Sequence, residues 1–364
     1  MLINCKLGDI AIVKNGKTNA QDAVSNGAYP LFDRSSSIKR SNKYLFDCSA
    51  IIVPGEGKDF IPRFYCGKFD LHQRCYCLQS KDLHKINPKY LYYNLYANHG
   101  YFSRVAVGST VPSLRLDSFL DMDIKLHSYE EQQHIVDTIG SVDDLIEKNE
   151  EIIKKSTSFI DATFNDLFTK SNFTYSTLGS TFNVSIGRTP PTKESKWFAN
   201  KDNADSISWL SIKDMNQNEV YCLSTSQFLT TEAINEFHYT VAQPGDILLS
   251  FKLTVGRVLI AGKEMLTNEA IACFKGNEEL KRFLYCYLKT CNFLSDGGNT
   301  SSIGKAINSK IIKNFSFPIP PKDMLQKFTD LTRRIFELIR KLQGQNNLLK
   351  KEKEILLNRF FGSC

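Results

Sequence analysis

Hydrophobic positions recur every seven residues over 129–170: Ile139, Ile146, Ile153, Ile160 and Leu167 form one aliphatic row. A neighbouring row begins with Ile135 and Val142 and turns polar at Asn149, Ser156 and Thr163. That spacing predicts one long helix, about 60 Å at 1.5 Å per residue, whose coiled-coil seam has one dry row and one partly wet row. A lone helix of this length cannot bury its stripe and requires a partner. The pattern returns over 322–361, with Phe328, Ile335, Leu342, Leu349 and Leu356 in the dry row and Thr332, Ile339, Asn346, Lys353 and Phe360 in the mixed one. An antiparallel alignment sets Ile139 against Leu356, Ile146 against Leu349, Ile153 against Leu342 and Asn149 against Asn346. Dry then meets dry, and one buried amide meets another, which fixes the register. The helix-pair interface is therefore expected to comprise Ile139, Ile146, Asn149, Ile153, Ile160, Ile335, Leu342, Asn346, Leu349 and Leu356. Charge agrees with the pairing, since 129–170 hold ten acidic and four basic side chains and 321–364 hold five and ten.

The remaining chain reads as two copies of one scaffold, over 1–128 and 171–320. Lys6-Leu7-Gly8-Asp9-Ile10 is answered by Thr177-Leu178-Gly179-Ser180-Thr181, each a short helix leading into a strand. An irregular segment follows, rich in Ser, Asn and Lys over 33–43 and in Pro, Lys and Trp over 188–209. Buried-strand runs come next, Ala50-Ile51-Ile52-Val53 and Asp246-Ile247-Leu248-Leu249, each entering a basic loop, 54–63 and 250–257. An aromatic helix (88–98 and 280–291) precedes a glycine loop, Gly108-Ser109-Thr110-Val111-Pro112-Ser113-Leu114 in one copy and Gly298-Asn299-Thr300-Ser301-Ser302-Ile303 in the other. A closing strand, 123–126 or 315–319, completes each copy. Mixed elements with irregular connections predict the α+β class, two mixed α/β domains with small twisted sheets. The order domain, helix, domain, helix, with antiparallel helices, predicts a pseudo-twofold tandem repeat about Asn149 and Asn346, the domains lying at opposite ends.

A length of 364 residues exceeds one ordinary core and fits two domains plus the helices. The net charge of +7 concentrates outside the helix pair: 1–128 hold 17 Lys and Arg against 11 Asp and Glu, and 171–320 hold 15 against 13. That excess favours a polyanion partner. No run approaches the roughly 18 apolar residues of a membrane span, and the first eight residues lack the apolar core of a signal peptide. Ten cysteines are scattered without a CxxC pair, so the expectation is a cytoplasmic protein with free thiols.

Catalytic motifs are weak. Asn87-Pro88-Lys89-Tyr90 approaches the Asn-Pro-Pro-Tyr with which adenine methyltransferases hold a flipped base, but it lacks the second proline and no Gly-rich AdoMet loop accompanies it. As a helix start with proline in the first turn it needs no catalytic role. Asp47 with Glu56-Gly57-Lys58 mimics the spacing of metal-dependent nucleases, yet the second copy has Phe251-Lys252 in that place. There is no GxxxxGK[ST] phosphate loop, and the six histidines, His72, His84 and His134 among them, form no HxxxH or HExxH pair. No catalytic or metal-ligating residue is assigned. What remains is a concentration of cations among aromatics and hydroxyls in equivalent loops. Arg34, Lys39, Arg40, Lys43, Lys58, Arg63 and Arg74 occupy the first copy, and Arg188, Lys193, Lys196, Lys213, Lys252, Arg257 and Lys305 the second. With the hydroxyls of Thr110 and Ser113 they are the candidate DNA-binding residues, because phosphate contacts need cations and hydroxyl or N–H donors while base edges are read by Arg, Lys, Asn or Gln.

Three stretches in order, Lys6-Leu7-Gly8-Asp9-Ile10, the 108–114 loop and the helix start Tyr129-Glu130-Glu131-Gln132-Gln133, resemble the specificity (S) subunits of type I restriction–modification systems. A second set, Phe317-Pro318-Ile319-Pro320-Pro321 with Gln326 in the place of Gln133, extends the resemblance over nearly the whole chain. The second copy departs from the family pattern at Lys322-Asp323-Met324-Leu325 and Ser301-Ser302-Ile303. The resemblance implies two target-recognition domains, 1–128 and 171–320, each reading half of a bipartite double-stranded DNA site. It implies that the central helix, 129–170, and the distal helix, 321–364, act as a ruler and dock methyltransferase (M) subunits. It also implies a non-catalytic chain that holds no cofactor: AdoMet would sit on the M subunits, and Mg and ATP on restriction (R) subunits of a phage-defence complex. Two other readings stay open, a protein-binding adaptor on a coiled-coil strut and the detached recognition part of a single-chain restriction–methylation enzyme. DNA retention that falls steeply with salt separates the first of these, and separate neighbouring genes for the partner subunits the second.

Overall fold

The computed structural model describes residues 2–169, 171–200, 206–252, 254–291, 293 and 308–362. They divide into two compact units, the first Met1–Ile146 with Leu348–Cys364, the second Glu147–Asn347. Each long helix thus gives part of its length to each unit.

The first unit opens with β1 (Ile3–Lys6), the single turn α1 (Leu7–Ile10) and β2 (Ala11–Asn15). β3 (Tyr29–Phe32), β4 (Lys39–Ser41), β5 (Phe46–Pro54), β6 (Arg63–Leu71) and β7 (Cys75–Ser80) follow. Then α2 (Pro88–Ala97), α3 (Gly100–Val105), α4 (Leu116–Leu120) and β8 (Asp123–Leu126) lead into α5 (Tyr129–Phe168). Six strands form one sheet in the order β2-β7-β5-β6-β3-β4, antiparallel except where β3 lies beside β6, and β1 pairs separately with β8. The unbroken apolar run in β5 reflects a strand covered on both faces. Ile51 and Val53 pack with Leu78, Leu91 and Phe102, while Ala50 and Ile52 pack with Phe32, Phe69 and Leu71.

Asn87 caps α2, its side-chain oxygen accepting from the N–H groups of Lys89 and Tyr90, with Pro88 in the first turn. The stretch that approaches a methyltransferase motif is thus a helix cap. Gln132 fastens the start of α5 to this cap. It is sealed from solvent, accepts from the Asn87 N–H at 2.9 Å, and donates to the carbonyls of Lys85 and His127, both at 3.0 Å.

The second unit repeats the opening with β9 (Thr174–Thr177), α6 (Leu178–Thr181) and β10 (Asn183–Ile186). β11 (Phe198–Ala199), β12 (Ile207–Leu210), β13 (Tyr221–Cys222), β14 (Gln227–Leu229) and α7 (Thr231–Phe237) come next. β15 (Ile247–Ser250), β16 (Val258–Ala261), β17 (Leu266–Thr267), β18 (Ile271–Lys275) and α8 (Glu278–Thr290) follow, and α9 (Ser309–Asn314) and β19 (Ser316–Ile319) lead into α10 (Lys322–Phe361). The main sheet, β10-β18-β15-β16-β13, matches β2-β7-β5-β6-β3 strand for strand, including the parallel contact, here β13 beside β16. β9 with β19 answers β1 with β8, and Asn277 caps α8 as Asn87 caps α2. One element is new. Residues expected to be irregular over 188–209 contribute β11 and β12 to a four-stranded sheet, β11-β14-β12-β17, built on Trp209, Leu229, Ala233 and Leu266. Its strands are two to four residues long, too short for an alternating pattern to show.

Within each unit α5 and α10 run antiparallel. In the second, Asn149 Nδ2 donates to Asn346 Oδ1 at 2.8 Å, and Ile153, Ile160 and Leu342 share one core. Further along that core, Phe164 and Phe168 meet Phe328, with centroids 6.0 and 5.7 Å apart. In the first, Ile139 is buried with Leu357 and Phe361. Lys353, a cation in the seam, reaches Asp143 at 2.6 Å and lies over the rings of Tyr93 and Tyr96. Tyr93 donates to the other oxygen of Asp143 at 2.8 Å, and burial, helped by that carboxylate, pushes its hydroxyl far above the usual range. Ile146, Ile335, Leu349 and Leu356 are half-buried rather than sealed, while Phe336 and Leu357 are sealed next to them. The buried face of α10 is turned because it also covers an aromatic helix in each unit. In the second this is α8, where Tyr285 meets Phe336 edge-on at 5.9 Å. In the first it is α2, where Leu357 shares a core with Tyr90 and Tyr93.

Removing one amide of the Asn149–Asn346 pair leaves the other without that partner, which costs about 1–3 kcal/mol. Asn149→Leu and Asn346→Leu are each expected to destabilise the second unit, and the double variant to recover much of the loss. Chemical denaturation of the four proteins measures this, and a coupling below about 0.5 kcal/mol contradicts it.

Candidate nucleic-acid interface

Four segments of the first unit converge beyond the ends of β3, β5 and β6. His72 N–H donates to the Phe32 carbonyl (2.9 Å) and Gly55 N–H to that of Arg74 (2.8 Å). The 108–114 loop docks on the same place, through Gly57 N–H to the Pro112 carbonyl (3.1 Å) and Leu114 N–H to that of Gly55 (2.8 Å). At the centre lies Glu56, its side chain only 10% exposed, with one carboxylate oxygen on Arg34 (2.6 Å) and the other on Arg74. The two arginine side chains are 48% and 58% exposed. Each is shown giving one NH1 to the carboxylate, and a guanidinium carries five N–H donors. One negative charge between two positive ones leaves the cluster cationic, with both forks steadied and outward donors to spare.

Asp33 shapes the loop that carries Arg34. Its carboxylate accepts from the Ser35 N–H (2.8 Å) and Oγ (2.6 Å) and pairs with Lys39 (2.7 Å). Burial alone would raise its pKa, but Lys39 and Ser35 outweigh burial and hold it at about 2. Arg63 donates to the carbonyls of Ser35 (2.9 Å) and Asp33 and lies over the Phe32 ring at 5.3 Å; its burial lowers its pKa. Arg40 donates to the carbonyls of Gly27 (2.9 Å) and Ala28 (3.1 Å). Lys39, Arg40 and Arg63 are therefore occupied in holding loops. Lys43, Lys58 and Thr110 stand exposed, and half-buried Ser113 bridges Glu56 and Val107 through its backbone.

Among the described residues, the second unit gathers fewer of the expected cations. Arg257 NH1 donates to the carbonyls of Ile212 and Met215, both at 3.0 Å, and its buried Nε has no hydrogen-bond partner. Lys213, within that same turn, is exposed, as is Lys193. Lys196 pairs with Glu194 at 3.0 Å and lies 4.3 Å over the Trp197 ring, and Lys252 lies 5.6 Å over Phe251. Arg188 keeps an exposed side chain on a bonded backbone: its N–H donates to Thr267 (2.9 Å), and its carbonyl accepts from Trp209 Nε1 (3.1 Å) and the Tyr239 hydroxyl (2.9 Å). Lys305 and the 298–303 loop lie outside the described residues. Phe251 N–H donates to the Ala270 carbonyl at 2.9 Å just as Gly55 N–H donates to that of Arg74. Lys252 thus stands where Glu56 stands, and Ala270 where Arg74 stands.

Glu56 is the residue that cation counting passes over. Its nuclease-like spacing with Asp47 leads nowhere, for Asp47 lies near the start of β5, opposite Lys68, and Glu56 lies past its other end. The signal available was an acidic residue next to the strand end, within a loop noted only for its cations. Among the described residues no three His, Cys, Asp or Glu side chains are placed to hold a metal ion, and no helix is long and apolar enough to cross a membrane.

The family model described as type I restriction modification DNA specificity domain matches residues 4–155 and again 170–358. The type I restriction enzyme EcoDI specificity subunit of Escherichia coli is 31% identical over 137 residues, covering 38% of this chain and only 30% of that protein. The MjaIX specificity subunit of Methanocaldococcus jannaschii is 28% identical over 305 residues, 75% of this chain and 68% of that one. In fold, the chain is similar to the crystal structure of a type I restriction–modification system S subunit from M. genitalium. The TM-score is 0.65 at 15% identity, over 100% of this chain and 97% of that one.

A carboxylate whose folded pKa is depressed contributes stability that is present above its unfolded pKa, about 3.9, and is lost as pH falls through the folded value. Wild type is therefore expected to exceed Asp33→Asn in first-unit stability by an order of 1 kcal/mol at pH 5–7. The gap should close between pH about 4 and about 2. Denaturant melts of both proteins across that range check the sign; a gap unchanged at low pH contradicts it.

Proposed function

This chain belongs to the type I restriction–modification DNA specificity family, and on that premise we propose that it reads a bipartite double-stranded DNA site, one half with each unit, and brings methyltransferase subunits to it. The observation that carries the reading is one scaffold built twice with different chemistry in the same place. The first unit has Glu56 between Arg34 and Arg74, where the second has Lys252 and Ala270. Guanidinium forks match the O6 and N7 acceptors of guanine in the major groove with a rigid, planar pair of donors that a flexible lysine ammonium lacks. A scaffold that tolerates such exchange suits two half-sites of unrelated sequence.

Docking of methyltransferase subunits is proposed for the long helices. The first unit exposes Leu145, Leu348 and Ile355 on them, and the second Ile152, Phe159, Leu331 and Leu338. Large apolar side chains standing out on otherwise charged helices are what a protein partner would cover. AdoMet would then be held by those partners, ATP and Mg by a restriction subunit where one is present, and this chain would supply the address alone.

Exchange of residues 171–320 for the equivalent part of a relative, followed by mapping of methylated bases in the cell, is expected to change one half of the motif and leave the other intact. Arg74→Gln should relax the opposite half, by about 1–3 kcal/mol of discrimination at one base pair. A motif whose two halves change together contradicts the modular reading. Purified on its own, the chain should transfer no methyl group from labelled AdoMet and cut no DNA.

A further inference from the structure

One turn is built in the same way in both units, and only its second copy, through Arg188, is marked by cation counting. Gly16-Lys17-Thr18 follows β2, and Gly187-Arg188-Thr189 follows β10, its equivalent strand. Both are clamped alike. Gly16 N–H donates to the Cys75 carbonyl (3.1 Å) and Gly187 N–H to that of Ile271 (3.2 Å); Lys17 N–H donates to Leu71 (3.0 Å) and Arg188 N–H to Thr267 (2.9 Å). A Cβ on Gly16 would lie 2.2 Å from the Leu71 oxygen, and one on Gly187 2.0 Å from that of Thr267, so the close approach requires glycine in each. The next residue then diverges: Thr18 is buried on Asp70 at 2.7 Å, whereas Thr189 is exposed. What the units share is a locked turn that holds out one exposed cation. In the first unit this turn abuts the one bearing Arg74, through Gln73 N–H to the Thr18 carbonyl (2.9 Å).

Two half-sites differ in their bases and are alike in their phosphates. Chemistry that differs at one place of a repeated scaffold, Glu56 against Lys252 and Arg74 against Ala270, suits what differs. Chemistry kept at one place suits what is common. Lysine and arginine both serve a phosphate, but they are not interchangeable at a base edge. Resting on the DNA reading above, we propose that Lys17 and Arg188 are equivalent phosphate anchors that set each unit's register on its half-site without reading sequence.

The test uses the complex recovered from cells on the tagged full-length chain, with a pool of random-sequence duplexes as probe. Affinity is measured against salt and the retained sequences are read. Lys17→Gln and Arg188→Gln should each flatten the slope of log K against log salt by about 0.9. Each should weaken all duplexes by the same factor and leave the retained sequence unchanged, and the double variant should lose both increments. Lys17→Arg and Arg188→Lys should restore the slope, which separates a lost contact from a misfolded turn. A retained sequence that changes at one position with the slope intact makes the residue a base reader and overturns the proposal, as does no change in either readout. Wild-type complex without salt-dependent retention overturns the DNA reading itself.

Discussion

The structure depends on burying one face of each 40-residue helix. An isolated amphipathic helix draws little stability from its own hydrogen bonds, so its apolar stripe must be covered along its length. Here the cover comes from two sources. Part is the other long helix, and part is the aromatic helix of each unit, with Tyr90 and Tyr93 in one core and Phe283 and Tyr285 in another. Two polar pairs sit in these seams, Asn149 on Asn346 and Lys353 on Asp143. Such pairs add little to stability over apolar substitutes, but a shifted register would leave them unpaired, so they specify one alignment.

A similar economy governs the cations of the loops. Arg40, Arg63 and Arg257 point their guanidinium groups at backbone carbonyls, giving irregular segments the donors their turns lack. Arg34 and Arg74 instead share a carboxylate, which fixes their geometry while leaving them about half exposed. Holding a binding group in place before its ligand arrives lowers the entropy lost on binding. The first unit therefore presents an ordered cluster, whereas Lys252, in the place of Glu56 in the second, lies against Phe251.

Long repeats are readable in a sequence because each adds independent support. The seven-residue spacing runs through five cycles in each helix, and the covered strand at 50–53 stands out as an unbroken apolar run. The four-stranded sheet around Trp209 escapes such reading, since no strand in it offers more than two alternations. The turn that seals Phe336 and Leu357 in place of Ile335 and Leu356 escapes as well, because it is set by what else packs on α10. The sorting of cations is likewise hidden. An arginine bonded to carbonyls and one bonded to Glu56 look the same in composition, and distance along the chain does not say that residues 34, 56 and 74 meet. Gly16 and Gly187, by contrast, lie equally far beyond Gly8 and Gly179, a coincidence legible without coordinates.

The closing of the first unit by the last turns of α10 has a consequence for how the chain is made. Leu357 and Phe361 complete the core around Tyr90, Tyr93 and Ile139, yet the whole of the second unit is synthesised between them and the rest of the first. At about 5–20 residues per second those 201 residues take roughly 10–40 s. For that interval the nascent first unit waits on the ribosome with an uncovered aromatic face, and the domain begun first is the one finished last.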